Sequence, residues 1–290
     1  MEYALHTKRN LKYILESLYA SYNKYQFVQT DPLYFVHRFS EKQDQEIAAL
    51  LSAVIAFGRV EQIKRSLSDI FQRLDNSPSN YVNTFSLSRA QQDFHSFVHR
   101  FIRGKDLTVL LYFISHIYQE YGSLYNFFLK GYKPSDDTIT EGLKDFIKRI
   151  LTIDCSPLYA DGKLPGDARV RFLLSSPEQG SACKRMNLFL RWMVRRGDGI
   201  DLGIWKDVSP SQLVIPLDTH VSRIVQCIGL TKYKNNSWKM ALDVTRNLRK
   251  FDSTDPVKYD FAFSRLGILG ICSTDRRWCR ECPLYPFCNK

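Results

Sequence analysis

The sequence predicts an all-α protein. Apolar and aromatic residues in 9–24 recur three and four positions apart, which is typical of one face of an amphipathic helix. Residues 47–57 are apolar on almost every side, so we expect a helix that is buried in the centre of a helical domain. No run of alternating polar and apolar residues is long enough to predict a strand. The residues of the first repeat are Leu11, Ile14, Leu15, Leu18, Tyr19 and Tyr22.

The middle of the chain continues this pattern. Residues 60–151 alternate helical segments with polar or glycine-containing turns, and Thr138 with Glu141 fits a capping box that opens the next helix. Ser176 and Pro177 can begin a short helical turn. The histidines of this region show no metal-like spacing, and we expect them to be packed or solvated. They are His95, His99 and His116.

Size and composition limit the class of protein. The 290 residues allow one large domain or two ordinary ones, and 44% apolar content is sufficient for a buried core. No apolar segment approaches the roughly 20 residues that cross a bilayer, so we expect no membrane association. The formal charge of +11 favours a polyanionic partner such as nucleic acid, although a solvated cationic surface fits the same charge.

Four of the seven cysteines lie near the C-terminus, separated by six, two and five residues. This is metal-ligand spacing, and both zinc and an iron–sulfur cluster accept four thiolates. Disulfides are the alternative, but they need an oxidising compartment, and MEYALHTKRNLKY lacks the features of a secretory signal. We therefore expect a reducing cytoplasm. The four residues are Cys272, Cys279, Cys282 and Cys288, while we expect Cys155, Cys183 and Cys227 to be small core residues.

The terminal C-x6-C-x2-C-x5-C pattern resembles the iron–sulfur loop of endonuclease III and its relatives in the helix-hairpin-helix DNA glycosylase superfamily. The resemblance implies a [4Fe–4S] cluster held by these four cysteines. An LLSA run at residues 50–53 is also similar to an early helix of that superfamily. There a glutamine often follows and enters the space left by the extruded base, whereas this chain has Val54.

A second stretch that resembles a motif of this superfamily begins at Gly180. The small residues 180–182 would let the backbone approach a phosphate, which the amides at the start of the next helix could hold. Glycosylases of the superfamily show a similar glycine hairpin, then the Schiff-base lysine, then an asparagine three positions later. Lys184 and Asn187 match that phrase, while Ala182 replaces the second glycine. The resemblance implies a catalytic Lys184, with phosphate contact as the alternative, and the DNA contacts Gly180, Ser181, Arg185 and Asn187.

Asp218 precedes an apolar-periodic segment at residues 221–228, which predicts an N-cap. The run Asp218-Thr219-His220-Val221 is similar to a superfamily phrase in which the aspartate caps its helix and faces the lesion. The resemblance therefore implies that Asp218 is also catalytic. Beyond it, the sequence predicts a helix over 238–248 and another opened by Asp255-Pro256.

The connection between Lys184 and Asp218 is longer than in endonuclease III itself. Archaeal oxoguanine glycosylases also lengthen it, which suggests an oxidised purine as substrate. Trp192 and Trp205 lie in the lengthened segment, where they could stack on a flipped base or pack in the core. We call the segment that contains the four terminal cysteines, residues 272–288, the cysteine loop. Its arginines could contact DNA phosphates or remain solvated. They are Arg276, Arg277 and Arg280.

The superfamily topology implies two helical domains with a cleft between them. One is a helical barrel at residues 46–205 with a degenerate helix-hairpin-helix, and the other combines 1–45 with 206–290 and holds the cluster at 272–288. The implied function is base-excision repair, in which a monomer near the nucleoid flips a damaged base from double-stranded DNA and attacks the sugar C1′, with abasic-site lyase activity. The alternatives are a monofunctional glycosylase that uses Asp218 alone, a non-catalytic iron–sulfur DNA-binding protein, and a zinc-stabilised binding module.

Overall fold

The computed structural model describes residues 2–273 and 279–288, with side chains from residue 10 onward. The described chain is mostly helical, which confirms the all-α prediction. Its helices are α1 (Glu2–Tyr22), α2 (Leu33–Val36), α3 (Lys42–Ile55), α4 (Val60–Arg73), α5 (Pro78–Asn83), α6 (Leu87–Phe94), α7 (Gly104–Tyr121), α8 (Leu124–Leu129), α9 (Thr140–Leu151), α10 (Val170–Leu173), α11 (Lys184–Val194), α12 (Thr219–Cys227), α13 (Trp238–Leu248) and α14 (Asp260–Ile268). Short 3-10 turns lie at Tyr25–Thr30, Pro177–Gln179, Pro210–Gln212, Cys279–Glu281 and Tyr285–Phe287. No helix among the described residues is long and apolar enough to span a membrane.

Two very short strands interrupt the helices, although the sequence showed no strand pattern. They are β1 (Val98–His99) and β2 (Ile102–Arg103), which pair antiparallel with Val98 opposite Arg103 and His99 opposite Ile102. Arg100 lies between the strands with φ of 56°. Two-residue strands carry no alternation that sequence patterns can detect, so this hairpin follows from its tertiary surroundings.

The chain divides into two compact units, the first formed by residues 1–27 with 180–290 and the second by residues 28–179. These limits place 28–45 in the second unit and 180–205 in the first, unlike the domain limits expected from the resemblance. Hydrogen bonds explain the second difference. The Trp238 N–H donates to Gly180 O at 2.9 Å, and Arg191 of α11 forms a buried ion pair with Asp260 of α14.

The second unit is organised around α3. Every residue from Glu46 to Ile55 is buried, as the apolar run predicted. Glu46 is the polar exception, and its carboxylate accepts hydrogen bonds from the Tyr118 hydroxyl and from the Leu124 and Tyr125 amides at 2.7–2.9 Å. These bonds compensate the burial of the carboxylate and satisfy the first amides of α8. The expected capping box is not formed, because Ile139 is the N-cap of α9 and Glu141 pairs with Lys144 instead.

The first unit packs α1 and α12 against α14. Leu11, Leu15 and Leu18 are buried, which confirms the predicted apolar face of α1. The Tyr259 hydroxyl donates to Glu16 Oε1 at 2.6 Å and fixes the register of α1 beside the start of α14. Helix α13 has the bounds that the sequence predicted, while α14 begins at Asp260, five residues after Asp255.

Candidate active site and cysteine loop

A tight loop leads into α11 and places Lys184 at the first helical position. Gly180 has φ of +73° and is exposed, with open space where a Cβ would stand. Cys183, the N-cap residue, has φ of 47° and ψ of 37°, a left-handed conformation that non-glycine residues adopt uncommonly. Its N–H donates to the Ser181 Oγ at 3.2 Å, so a local hydrogen bond supports the turn. Lys184 itself is half-buried.

Two residues that were expected to contact DNA lie in the interior instead. Asn187 is 1% exposed, and its Nδ2 donates to Ala182 O at 3.1 Å, which closes the loop from inside. Arg185 is buried as well, and desolvation lowers its pKa to about 10. Gly180 and Ser181 therefore keep accessible positions in this phrase, whereas the Arg185 and Asn187 side chains are part of the core.

Asp218 is the N-cap of α12, as predicted. Its Oδ1 accepts a hydrogen bond from the Val221 N–H at 2.7 Å, and its backbone is extended. The carboxylate satisfies one of the amides that the first helical turn leaves unpaired, and its charge suits the positive end of the helix dipole. The side chain remains half-exposed while it makes this bond.

His220 connects the two predicted catalytic residues electrostatically. Burial lowers the pKa of His220, the negative charge of Asp218 opposes that shift, and the positive charges of Arg223 and Lys184 add to it. Coulomb interactions of this kind fall off with distance and screening. Lys184 and Asp218 therefore both lie in the electrostatic neighbourhood of one imidazole, although they come from different helices.

The contact between α12 and α14 at His220 is very close. A Cβ added to Gly267 would stand 2.3–2.4 Å from the His220 Nδ1, Cβ and Cγ atoms. Only glycine leaves room for the imidazole at this separation of the two helices. Gly267 thereby sets how deeply the start of α12, with Asp218, lies against α14.

A buried network of charged side chains joins α11 to the start of α14, and the sequence did not predict it. Arg191 pairs with Asp260 and, at 3.3 Å, with Asp201, while Arg195 pairs with Asp201 at 2.5 Å, Asp198 at 2.9 Å and Asp255 at 3.0 Å. Two guanidinium groups thus face four carboxylates. The signal in the sequence was that Arg191 and Arg195, four positions apart, flank apolar residues at the C-terminal end of α11. We call these six residues, Arg191, Arg195, Asp198, Asp201, Asp255 and Asp260, the Arg–Asp network.

The pKa of Asp260 shows how burial in the Arg–Asp network affects a carboxyl group. Burial raises the pKa of Asp260 to about 7; the Arg191 guanidinium opposes the shift, and the negative charge of Asp218 adds to it. Asp260 therefore lies within electrostatic range of the candidate catalytic carboxylate. A buried carboxyl group that titrates near neutral pH can hold or release a proton under physiological conditions.

The lengthened connection between Lys184 and Asp218 places its two tryptophans in the core rather than on the surface. Trp192 and Trp205 are at most 1% exposed, and the Trp205 ring lies edge-on to Phe189 with 5.2 Å between centroids. Neither tryptophan is available to stack on a flipped base. The core interpretation of these two residues is therefore confirmed, and the stacking interpretation is wrong.

The cysteine loop is tied to α12 by Arg223. The Arg223 Nε lies 3.5 Å from the Cys272 Sγ, and its Nη2 donates to Cys272 O. No disulfide bond joins any of the cysteines in the part of the chain that the structure describes. Arg280 is exposed, while Arg276 and Arg277 fall in 274–278, outside the described residues.

The cysteine side chains influence one another without meeting a ligand geometry. Burial raises the pKa of the Cys288 thiol to about 11, and the neighbouring thiols, including Cys227, add to the shift. Burial also raises the pKa of Cys282, with smaller contributions from Cys272, Cys279 and Cys227. Within the described ranges, no three His, Cys, Asp or Glu side chains are close enough to hold a metal ion. Cys227 was expected in the core but is half-exposed near this loop.

Residues 31–269 match a protein family described as "Protein of unknown function (DUF2400)", and because the match covers most of the chain, the chain belongs to that family. No curated protein matches the sequence, and no solved structure matches the fold.

Proposed function

We propose that the protein is a DNA glycosylase of the helix-hairpin-helix type that excises a damaged base, with Lys184 as nucleophile and Asp218 as its acidic partner. The observation that carries the proposal is that Asp218 and Lys184 both lie close enough to the half-buried His220 for their charges to shift its pKa, in opposite directions. The sequence phrases around Lys184 and Asp218, and the formal charge of +11, support the same reading.

The proposed reaction starts with extrusion of the base, because neighbouring bases cover the glycosidic bond in the duplex. The Lys184 amine then attacks the sugar C1′, the C1′–N bond breaks, and its electron pair leaves with the base, which takes up a proton. The Asp218 carboxylate stabilises the positive charge that develops on the sugar. Loss of a proton from the lysine nitrogen and opening of the ring give a Schiff base, and removal of a C2′ proton expels the 3′ phosphate.

The donor set of the cysteine loop, rather than the placement of its sulfur atoms, favours our proposal that the loop holds a [4Fe–4S] cluster. Cys272, Cys279, Cys282 and Cys288 are free thiols in one short loop, and the raised thiol pKa values of Cys282 and Cys288 reflect a loss of solvation that a cationic centre would compensate. When bound, the cluster would fix the fold of the loop. Iron and acid-labile sulfide in the anaerobically purified protein would support this assignment, whereas zinc without sulfide would replace it.

Borohydride trapping tests the nucleophile directly. The protein is incubated with a panel of duplexes that each carry one damaged base or an abasic site, and borohydride reduces any Schiff base to a stable secondary amine. We expect a covalent adduct that Lys184→Ala loses and that Lys239→Ala retains, because Lys239 is an exposed lysine in the first turn of α13. Base release without an adduct would instead assign a monofunctional enzyme that depends on Asp218.

Asp218→Asn separates catalysis from helix capping. Asparagine caps helices about as well as aspartate, so we expect the free energy of unfolding to change by less than about 0.5 kcal/mol. Loss of the carboxylate charge should lower the rate of base release by about 10²- to 10⁴-fold. Full activity of this variant would reduce Asp218 to a cap. If no lesion in the panel is released and DNA binding is tight and salt-sensitive, the protein is a non-catalytic DNA-binding protein.

A further inference from the structure

An exposed cluster of aromatic rings lies on the second unit, residues 28–179, which contains none of the residues in the proposed chemistry. The ring centroids of Phe57 and Phe101 are 5.7 Å apart, those of Phe57 and Phe172 are 5.3 Å apart, and those of Phe101 and Phe172 are 4.8 Å apart. Phe101 is 39% exposed and Phe172 is 44% exposed. We call these three phenylalanines the aromatic patch.

The patch is built on a rigid base. His99 is fully buried beneath it, edge-on to Phe57 with 4.7 Å between ring centroids. The His99 Nε2 lies 2.9 Å from Phe57 O and must donate, because a carbonyl only accepts; the Nδ1 then accepts from the Ser66 hydroxyl at 2.8 Å. The β1–β2 hairpin holds Phe101 beside its left-handed Arg100. The exposed rings are therefore anchored through their backbone rather than carried on a loose loop.

Three exposed arginines surround the rings. The Arg100 side chain lies beside Gly58, the residue after Phe57, because its Nη1 is 3.4 Å from the position that a Cβ on Gly58 would occupy. The Arg103 Nη1 donates to Arg100 O at 3.1 Å, and the Arg169 Nη1 donates to Phe101 O. None of these arginines forms an ion pair with a carboxylate in the part of the chain that the structure describes. Their positive charge is thus available to an anionic partner.

We propose that the aromatic patch binds unpaired nucleotides, with a base stacked on Phe101 and Phe172 and with phosphates held by Arg100, Arg103 and Arg169. Stacking on aromatic rings tolerates any base, and guanidinium groups suit phosphate oxygens in direction and charge. An apolar partner would leave the three guanidinium groups without compensation, whereas a single strand supplies a flat ring and an anion in each nucleotide. This surface goes beyond the proposed glycosylase chemistry and requires neither Lys184 nor Asp218.

Binding of a fluorescent single-stranded oligonucleotide containing 2-aminopurine tests the proposal, with anisotropy reporting affinity and quenching reporting stacking. Stacking contributes about 1–3 kcal/mol per base, so Phe101→Ala combined with Phe172→Ala should weaken binding about 5- to 150-fold and remove the quenching. Phe101→Trp should retain both signals. Replacement of Arg100 and Arg169 by Gln should reduce the slope of log affinity against log salt by about 0.7 for each lost phosphate contact.

Tyr233→Ala serves as the matched control, because Tyr233 is 45% exposed and lies outside the patch. All variants are also compared by thermal unfolding, so that oligonucleotide affinities are compared only between folded proteins. Unchanged oligonucleotide affinity in the double phenylalanine variant would overturn the proposal. So would loss of self-association in sedimentation with intact nucleotide binding, which would make the patch a protein interface. The assay includes no bond cleavage, so failure of the glycosylase proposal leaves its outcome unaffected.

Discussion

Burial raises the pKa of three carboxyl groups of the Arg–Asp network, Asp201, Asp255 and Asp260, so all three make stability depend on pH in the same direction. The pKa of Asp260 is about 7 in the folded protein, against 3.8 for a solvent-exposed aspartate, so between these pH values the folded protein binds a proton that the unfolded chain lacks. Stability therefore falls as pH rises from about 4 to 7. The difference between these two pKa values corresponds to about 4 kcal/mol of stability, or about 1.4 kcal/mol for each pH unit well inside the window.

The measurement compares wild type with Asp260→Asn by urea unfolding from pH 5 to 8.5 at constant ionic strength. Asparagine cannot titrate, so the stability of wild type relative to the variant should increase by about 2 kcal/mol between pH 7 and 5. Two other groups, His99 and His220, have lowered pKa values, mainly from burial, and they make stability rise with pH. Both proteins share that contribution, and the difference between them removes it.

Asp252→Asn is the matched control, because its environment shifts the pKa in the opposite direction. Burial would raise the pKa of Asp252, but hydrogen bonds from Lys258 and Thr254 outweigh it and hold the pKa at about 2. Its stabilisation is complete above pH 4 and is lost only as pH falls through about 2, so the difference curve should be flat from pH 5 to 8.5. The stability difference between wild type and Asp260→Asn should decrease as pH rises. If that difference stayed constant or increased with pH, the proposed protonation of the network would be refuted.

Two further substitutions test close packing and buried polarity. Gly267→Ala should destabilise the protein by about 1–3 kcal/mol in urea unfolding, because the new methyl group overlaps His220. Gly166→Ala is the control: its methyl group meets no atom within 4 Å, so it should change stability by less than about 0.5 kcal/mol. Equal effects of the two substitutions would contradict the close contact at Gly267. Glu46→Gln should cost about 1–3 kcal/mol, since the amide accepts more weakly from the Tyr118 hydroxyl and from the start of α8, and an unchanged unfolding midpoint would show that the charge is not needed.

Local signals in the sequence predicted the elements that depend on neighbouring residues. The apolar run at 47–57 gave the buried helix α3, the aspartate before an apolar repeat gave the N-cap at Asp218, and the bounds of α13 followed from its periodicity. In each case the information lies within one or two helical turns. Capping and amphipathic packing need no knowledge of distant segments.

Features that depend on distant residues were not predictable in the same way. Arg191 and Asp260 are 69 positions apart, and although Arg191 stands among apolar residues, nothing near it in the sequence identifies Asp260 as its partner. Asn187 looked like a polar residue in an exposed phrase, yet its amide turns inward to hold Ala182 O. The same side chain type would fit a DNA contact or a loop closure, and only the tertiary structure distinguishes the two.

Val54 shows how the departure from the superfamily phrase bears on DNA binding. A glutamine that fills the space of an extruded base must be exposed, but Val54 is fully buried in α3. Val54 therefore cannot perform that task. Three residues later, Phe57 belongs to the aromatic patch, whose Phe101 and Phe172 are exposed and surrounded by arginines. Because the patch binds bases in our proposal without reference to Lys184, the oligonucleotide and trapping assays distinguish an enzyme from a protein that retains only the binding surface.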